Sequence, residues 1–135
     1  MMHRTKIVTS FLKSSDKILL LKRSEKVKSM KNLWAGISGI IEGDEEPIKR
    51  AEIEIFEEVG KRKSDITLVK EGDVILIESP QYVNHQWEVY PFLFSCSNKE
   101  IKLNWENSDS KWIDMNEINN FTVVPSLDKV LARLF

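Results

Sequence analysis

The chain has 135 residues, of which 41% are hydrophobic and 30% are charged, and its net charge is −1. This length predicts a single domain over residues 1–135, and the near-zero charge gives no electrostatic case for a nucleic-acid partner. No stretch approaches the ~20 apolar residues of a membrane span, and we expect no signal peptide, because the N-terminal residues contain neither a long apolar stretch nor a small-residue cleavage site. The single cysteine, Cys96, excludes an internal disulfide and fits a reducing compartment, so we expect a cytoplasmic protein.

The first two predicted elements form a β-hairpin. Residues 4–13 and 17–23 are rich in β-branched and aliphatic side chains, and the turn-forming residues 14–16 lie between them. The continuous apolar run 18–21 predicts a strand that is buried on both faces.

A loop rich in lysine and serine, residues 24–33, follows the hairpin. Residues 34–41 read as a third strand that is interrupted at Gly36 and Gly39. A glycine inside a strand indicates a bend or a close approach of another chain segment.

The next element is a helix that ends before Gly60. Asp44 or Glu46 is expected to cap its N-terminus, Pro47 suits its first turn, and Gly60 suits the position just past its end. Helical periodicity predicts an apolar stripe that faces the core, consisting of Ile48, Ala51, Ile55 and Val59.

The second half of the chain is predicted to contain strands and one helix. The strands are expected at residues 73–78, 86–97 and 111–114, with Pro80 between the first two. A helical turn is expected from Asp114, and a C-terminal helix over residues 126–135 has a Ser126 cap and leucines at helical spacing. This order of elements predicts an α/β sandwich around a mixed β-sheet.

Three acidic side chains of the first helix are the main functional signal. Glu54, Glu57 and Glu58 stand at positions i, i+3 and i+4, which lie on one side of a helix. Like charges at this spacing repel each other unless a cation lies between them, and oxygen ligands suit a divalent cation such as Mg²⁺. The pattern therefore predicts a metal site on the helix.

The segment from Gly39 to Lys61 resembles the Nudix box, the sequence motif of the Nudix hydrolase family. In that box a glycine, five residues, a glutamate and seven residues precede Arg-Glu, an aliphatic residue, any residue, Glu-Glu, any residue, glycine and an aliphatic residue. Seven residues match in fixed register: Gly39, Glu45, Glu54, Ile55, Glu57, Glu58 and Gly60. Ile53 stands where the family has arginine, and Lys61 stands where it has an aliphatic residue.

The resemblance implies a Nudix-type α/β/α fold and a Mg²⁺-dependent pyrophosphohydrolase, with Mn²⁺ as a second suitable cation. Such enzymes cleave a diphosphate linkage in a nucleoside diphosphate joined to another group, so the expected partner is a nucleotide or nucleotide-sugar substrate. ADP-ribose, oxidised nucleoside triphosphates and dinucleoside polyphosphates stay open as substrates, and a homodimer stays open as the assembly.

The resemblance also assigns roles to individual residues. Glu54, Glu57 and Glu58 are expected to be metal ligands and catalytic, with Glu58 the first candidate, and the Gly39 carbonyl is expected to join them. Glu45 is expected to fix the loop onto the helix. Glu106, which precedes Trp112 by six residues, is expected to reach the metal or to act as the general base.

Four residues are expected to contact the substrate: Arg23, Trp34, His85 and Trp87. Arg23 ends the second strand at a position that resembles phosphate-contacting positions in relatives. Together with four lysines it forms a basic patch that would attract a polyanion, and the patch consists of Lys22, Arg23, Lys26, Lys28 and Lys31. Either indole offers a surface for stacking on a base, and burial in the core is the other interpretation.

Two other functions remain open from the sequence. A catalytically impaired nucleotide-binding or sensor domain is suggested by Ile53, which removes the arginine that orients the box carboxylates. We hypothesise that Arg50, four residues before Glu54, partly replaces that arginine. An isoprenyl diphosphate isomerase shares the fold, but it requires a catalytic cysteine, and only Cys96 is present.

Overall fold

The computed structural model describes residues 3–79 and 82–135. In chain order its elements are β1 (His3–Ser14), β2 (Lys17–Arg23), β3 (Trp34–Ala35), β4 (Ile37–Ile40), α1 (Pro47–Val59), β5 (Ile66–Glu71), β6 (Ile75–Glu78), β7 (His85–Cys96), β8 (Asn107–Ile113) and α2 (Leu127–Ala132). Short 3₁₀ turns occupy Lys63–Asp65 and Met115–Asn120. Within these ranges, neither helix combines the length and the apolar character that crossing a membrane requires.

The strands form one mixed sheet built around two long central strands. β1 and β7 run parallel over eleven paired positions, from His3 opposite His85 to Lys13 opposite Ser95. The other pairings between these strands are antiparallel: β2 and β4 lie along β1, β5 and β6 lie along β7, and β3 and β8 lie along β2. The strand order along the main path is β3-β2-β1-β7-β5.

One helix covers each face of this sheet, as the predicted α/β/α sandwich requires. The core under α1 contains Ala51, Ile55 and Val59 of the helix, and the core on the opposite face contains Leu127 and Val130 of α2. The run 18–21 alternates between the two cores, because successive side chains of a strand point to opposite faces. The prediction that this run is buried on both faces is therefore confirmed.

The hairpin and the break of the third strand at Gly36 are also confirmed, whereas the predicted break at Gly39 is wrong, because β4 continues through it. Ser15 and Asp16 form the turn between β1 and β2, and Ser15 adopts a left-handed φ of 55°. The chain leaves the strand at Gly36, where a Cβ atom would lie 2.9 Å from both the Phe11 ring and the Ser10 carbonyl oxygen. A larger residue at Gly36 would push β3 and β4 away from the sheet.

The ends of α1 agree with the prediction except for the capping side chain. Gly60 adopts a left-handed φ of 77°, and its amide donates to the carbonyl oxygen of Phe56 at 3.0 Å. Glu46 occupies the N-cap position, but its side chain makes no capping hydrogen bond, so the predicted acidic cap is wrong. The proline at the first helical position already supplies the backbone angle and removes one unsatisfied amide.

Downstream, the structure departs from the predicted boundaries. β5 (Ile66–Glu71) was not predicted, β6 begins at Ile75 and β8 begins at Asn107 instead of residue 111. Ser126 occupies the predicted N-cap position of α2, but it has a φ of 68° and makes no side-chain capping bond. The expectation for Pro80 lies outside the described residues.

Candidate active site

Three carboxylates from two distant parts of the chain meet at one place. One oxygen each of Glu54, Glu58 and Glu106 lies within 4.8 Å of the others. Glu54 and Glu58 are one turn apart on α1 and only 8% and 4% exposed, whereas Glu106 comes from the segment that leads into β8. We call these residues the acid group.

Glu57 lies outside the acid group, although the sequence places it on the same side of the helix. At about 100° per residue, Glu58 lies about 40° from Glu54 around the helix axis, and Glu57 lies about 60° from it in the other direction. The Glu57 side chain is exposed, and its charge helps to raise the pKa of Glu54.

Gly39 lies directly against Glu54. A Cβ atom at this position would overlap the side chain of Glu54 and would lie 2.6 Å from its Oε2 atom. Gly39 is part of β4, which pairs with β1 beneath the helix. The box glycine thus leaves the space that the first box carboxylate occupies.

Glu58 is a buried carboxylate with one oxygen unpaired. Asn107 donates from Nδ2 to Glu58 Oε1 at 3.1 Å, whereas Glu58 Oε2 has no hydrogen-bond partner in the described part of the chain. Burial, and then the charge of Glu106, raise the pKa of Glu58 well above its usual value. Because an unpaired buried oxygen is costly, this atom is suited to bind a cation.

Arg50 joins two carboxylates of the box. Its Nε and Nη2 atoms donate to the two oxygens of Glu45 at 3.0 and 2.7 Å, and its Nη1 atom donates to Glu54 Oε2 at 3.1 Å. The arginine side chain is 13% exposed, and the hydrogen bond to Arg50 lowers the pKa of Glu45. The hypothesis that Arg50 takes the place of the missing arginine therefore has its expected contacts.

Glu45 has the position that the resemblance implied. Besides binding Arg50, its Oε1 atom accepts a hydrogen bond from the amide of Glu42 at 2.8 Å. It therefore closes the loop before α1 and is not one of the three carboxylates that meet.

Beside the acid group lies an open cavity of about 330 Å³. Arg23, Gly39 and Glu106 line it, and we call these three residues its rim. Most of the other lining side chains are apolar, with Ile77, Trp87, Val89, Val124 and Leu127 among them, and we call these its walls. The hydroxyls of Thr9 and Ser38, 3.1 Å apart, also line it. A nucleoside with a charged tail matches this division into apolar walls and a polar rim.

Arg23 lines the cavity, but part of its guanidinium group forms hydrogen bonds within its own loop. Its Nε and Nη2 atoms donate to the carbonyl oxygen of Ser29 at 3.2 and 3.1 Å. Burial raises the pKa of Glu58, and the positive charge of Arg23 partly opposes this rise, so Arg23 lies within electrostatic reach of the acid group.

Of the three aromatic candidates, only Trp87 lines the cavity. Trp34 packs edge-on against Phe121 with ring centroids 5.1 Å apart. The ring centroids of His85 and Trp87 are 4.8 Å apart, and the Nε2 atom of His85 forms a hydrogen bond with Thr5 Oγ1 at 3.0 Å. Trp34 and His85 therefore do not line the cavity, and their expected contact with the substrate stays a prediction.

Two supporting residues were missed from the sequence. Asn107, which bonds Glu58, opens a strand that was predicted four residues too late, and nothing in its local sequence marks it. Lys61 was noted only as a departure from the box, yet it is buried and donates from Nζ to Asn98 Oδ1 at 2.5 Å. Its aliphatic stem fills the apolar position, and its ammonium group fixes the segment before Glu106.

Cys96 is confirmed as a buried core residue. It belongs to the core under α1, and burial raises the pKa of its thiol. Because a buried, protonated thiol is a poor nucleophile or acid, these observations oppose the isomerase interpretation.

A family model described as the NUDIX domain matches residues 2–134. The chain therefore belongs to the Nudix family and is a hydrolase of the class that acts on pyrophosphate bonds. A comparison with curated proteins finds no match.

Solved structures show the same fold at low sequence identity. A MutT protein from Methanosarcina mazei Go1 has a TM-score of 0.76 and 18% identity over 98% of this chain and 93% of that chain. An Ap4A hydrolase binary complex from C. elegans has a TM-score of 0.74 and 16% identity over 98% of this chain and 94% of that chain. The NUDIX domain of Shewanella oneidensis NrtR, complexed with ADP ribose, has a TM-score of 0.73 and 15% identity over 99% of this chain and 86% of that chain.

Proposed function

We propose that this chain is a Mg²⁺-dependent pyrophosphohydrolase of the cytoplasm that cleaves the diphosphate linkage in a nucleoside diphosphate joined to another moiety. The observation that carries the proposal is the acid group, with its buried and unpaired Glu58 oxygen, at the rim of a cavity of about 330 Å³. One of the similar structures is an Ap4A hydrolase and another is a NUDIX domain complexed with ADP ribose, and both Ap4A and ADP ribose are compounds of this kind.

The donor set of the acid group suits Mg²⁺ or Mn²⁺, because both prefer carboxylate oxygens. Glu54 and Glu58 would hold the cation, Glu57 would complete the site from the solvent side, and the Gly39 backbone lies beside Glu54. When bound, such a cation neutralises phosphate oxygens and lowers the pKa of water.

The remaining residues position these groups and the substrate. Arg50 orients Glu54, and Asn107 orients Glu58. Glu106 is the proposed general base, since its Oε1 atom is held by Asn104 Nδ2 at 3.3 Å at the edge of the cavity. Arg23 would contact a phosphate oxygen from the rim.

The apolar walls would hold the nucleoside and exclude water on that side. Trp87 supplies an aromatic wall, and His85 packs against it. Trp34 would act indirectly, by positioning a residue that lines the cavity. Its carbonyl oxygen accepts a hydrogen bond at 3.0 Å from the amide of Val124, which is such a residue.

Ile53 was the reason for considering a catalytically impaired nucleotide-binding or sensor domain, and its surroundings do not support that alternative. Ile53 is 39% exposed on α1, and Arg50 already makes the carboxylate contacts that an orienting arginine would make. No contact of the described residues favours binding without hydrolysis.

A panel of nucleoside triphosphates, ADP-ribose and dinucleoside polyphosphates with Mg²⁺, scored by product release, tests the proposal. We expect turnover of at least one compound, its loss with a chelator, and a decrease of at least 100-fold in Glu58→Gln. Glu52→Gln is the matched control, because Glu52 lies on the same helix and pairs only with Lys49 at 3.9 Å. Turnover without divalent cations, or unchanged turnover in Glu58→Gln, would refute the proposal.

A further inference from the structure

Trp105 is an exposed tryptophan next to the acid group. Its side chain is 57% exposed, and it directly precedes Glu106. The other three tryptophans have partners: Trp34 packs on Phe121, Trp87 contacts His85, and Trp112 donates to the carbonyl oxygen of Lys99. Within residues 3–79 and 82–135, the Trp105 indole has neither a hydrogen bond nor a ring partner.

The backbone that carries this indole is fixed. Ser24 donates from Oγ to the carbonyl oxygen of Trp105 at 2.7 Å and from its amide to the carbonyl oxygen of Glu106 at 2.8 Å. The Glu106 amide donates to Asn104 Oδ1 at 3.0 Å. A ring on a fixed backbone loses little conformational entropy when a ligand stacks on it.

The lysine-rich loop begins at the residue that holds this turn. Ser24 begins the lysine-rich loop, and its Oγ atom also accepts a hydrogen bond from the amide of Lys26 at 3.2 Å. Lys26, Lys28 and Lys31 are exposed, and none of them forms an ion pair with a described residue. The loop therefore offers cations for phosphate groups beside the indole.

Trp105 lies outside the cavity that its neighbour Glu106 lines. Glu106 lines the cavity, whereas Trp105 is not among the lining residues. A ligand whose first ring fills the cavity and whose phosphates lie at the acid group would therefore contact Trp105 with a group that lies outside the cavity, next to Glu106.

We infer that Trp105 determines specificity by stacking on a second ring, which makes dinucleoside polyphosphates the preferred substrate class. This inference rests on the proposed function. The first nucleoside occupies the cavity, the phosphates lie between the acid group and the lysine-rich loop, and the second base stacks on the indole. Every base has a π-face, so this contact accepts different bases.

The test compares two substrates with four phosphates each, a nucleoside tetraphosphate and the dinucleoside tetraphosphate of the same nucleoside. Trp105→Ala is expected to raise KM for the dinucleoside compound on the order of tenfold or more and to change KM for the mononucleoside compound less than about twofold. Trp105→Phe, which keeps an aromatic face, should recover most of the loss. Phe135→Ala removes another half-exposed aromatic side chain, outside the site, and should change neither KM.

Equal changes of KM for both substrates in Trp105→Ala, or no change for either, would overturn the inference. The proposed function would still hold in that case, because the wild type hydrolyses the substrates. A binding measurement separates the two further. Calorimetry with a methylene-bridged dinucleoside tetraphosphate and Mg²⁺ should show weaker binding in Trp105→Ala, and the ligand should quench the tryptophan emission of the wild type. Binding with these properties but no hydrolysis of any compound would sink the proposed function and retain the stacking role.

Discussion

Arg50 shows that the place of a charge on a helix matters more than its place in a motif. The box arginine would stand directly before Glu54, where this chain has Ile53. Four residues before Glu54 is one helical turn, and from there a guanidinium reaches both Glu45 and Glu54. Two parallel hydrogen bonds to Glu45 also fix its plane, which a lysine cannot reproduce.

Replacing Arg50 by alanine is expected to lower kcat/KM about 10- to 100-fold, the usual effect of losing a residue that orients a metal ligand. Arg50→Lys should recover little, because an ammonium group cannot bridge the two carboxylates in the same plane. The check is steady-state kinetics together with Mg²⁺ affinity by calorimetry. Near-unchanged values of both in Arg50→Ala would mean that Arg50 is only a surface pair. Lys49→Ala, one position away and 56% exposed, is the control.

Glu58 gives a prediction about pH in the absence of metal. Its folded-state pKa is raised by burial, so the folded protein disfavours the charged form. The metal-free fold is therefore most stable, as far as this group matters, below the unfolded pKa of about 4.3, and this stability is lost as pH rises toward the folded pKa. In a chelator at pH 7, Glu58→Gln should unfold at a higher temperature than the wild type.

The same reasoning requires this difference to disappear in acid. Thermal unfolding of both proteins between pH 3.5 and 8 is the measurement. A glutamine that destabilises the metal-free protein at neutral pH would show that the Glu58 carboxylate is not penalised by its burial. Glu57→Gln is the matched comparison, because the neighbouring carboxylate is exposed and should leave the unfolding temperature nearly unchanged.

At the scale of elements, the contact between β4 and α1 sets the position of the first box acid. The strand passes so close to the helix that only a glycine leaves room for Glu54. Gly39→Ala should destabilise the fold by about 1–3 kcal/mol through overpacking and should lower Mg²⁺ affinity, because Glu54 must move. Gly43→Ala is a control with a similar cost of about 1–2 kcal/mol, because Gly43 has a φ of 55° but open space around it.

The two glycine variants separate general destabilisation from displacement of the carboxylate. Unfolding by denaturant and calorimetry with Mg²⁺ should show a stability loss in both variants and a metal-affinity loss in Gly39→Ala alone. Equal metal affinity in the two variants would contradict the role assigned to Gly39.

Elements with a strong local pattern were predictable, and those fixed by distant contacts were not. The α1 stripe of Ala51, Ile55 and Val59 repeats at helical spacing, and β2 is apolar on both faces, so both follow from the sequence. β5 was missed because most of its side chains are exposed at the sheet edge, where its order depends on pairing with β7.

The same distinction applies to the site. Register predicted Glu54 and Glu58, and Glu106 was expected at the site only through the family resemblance. The exposure of Glu57 depends on the helix phase relative to the sheet, and the contact of Asn107 with Glu58 depends on a separation of 49 residues. Neither can be obtained from local spacing.

At the scale of the molecule, the acid group joins the two halves of the chain. Glu54 and Glu58 come from α1, which follows β4, and Glu106 enters beside β8, which pairs with β2. The parallel pairing of β1 and β7 at the centre of the sheet holds these halves together. Without a cation, three carboxylates within 4.8 Å repel each other at the point where the halves meet.

A divalent cation should therefore stabilise the whole fold. A ligand that binds only the folded state adds about 2.7 kcal/mol at a free concentration 100 times its Kd. We expect saturating Mg²⁺ or Mn²⁺ to raise the unfolding midpoint of the wild type, and a chelator to reverse the effect. The measurement is thermal unfolding monitored by circular dichroism at fixed ionic strength, so that screening is constant. Glu52→Gln should behave as the wild type, whereas Glu58→Gln and Glu106→Gln should respond much less. An equal rise in all four proteins would place the cation elsewhere, because only two of the variants alter the acid group.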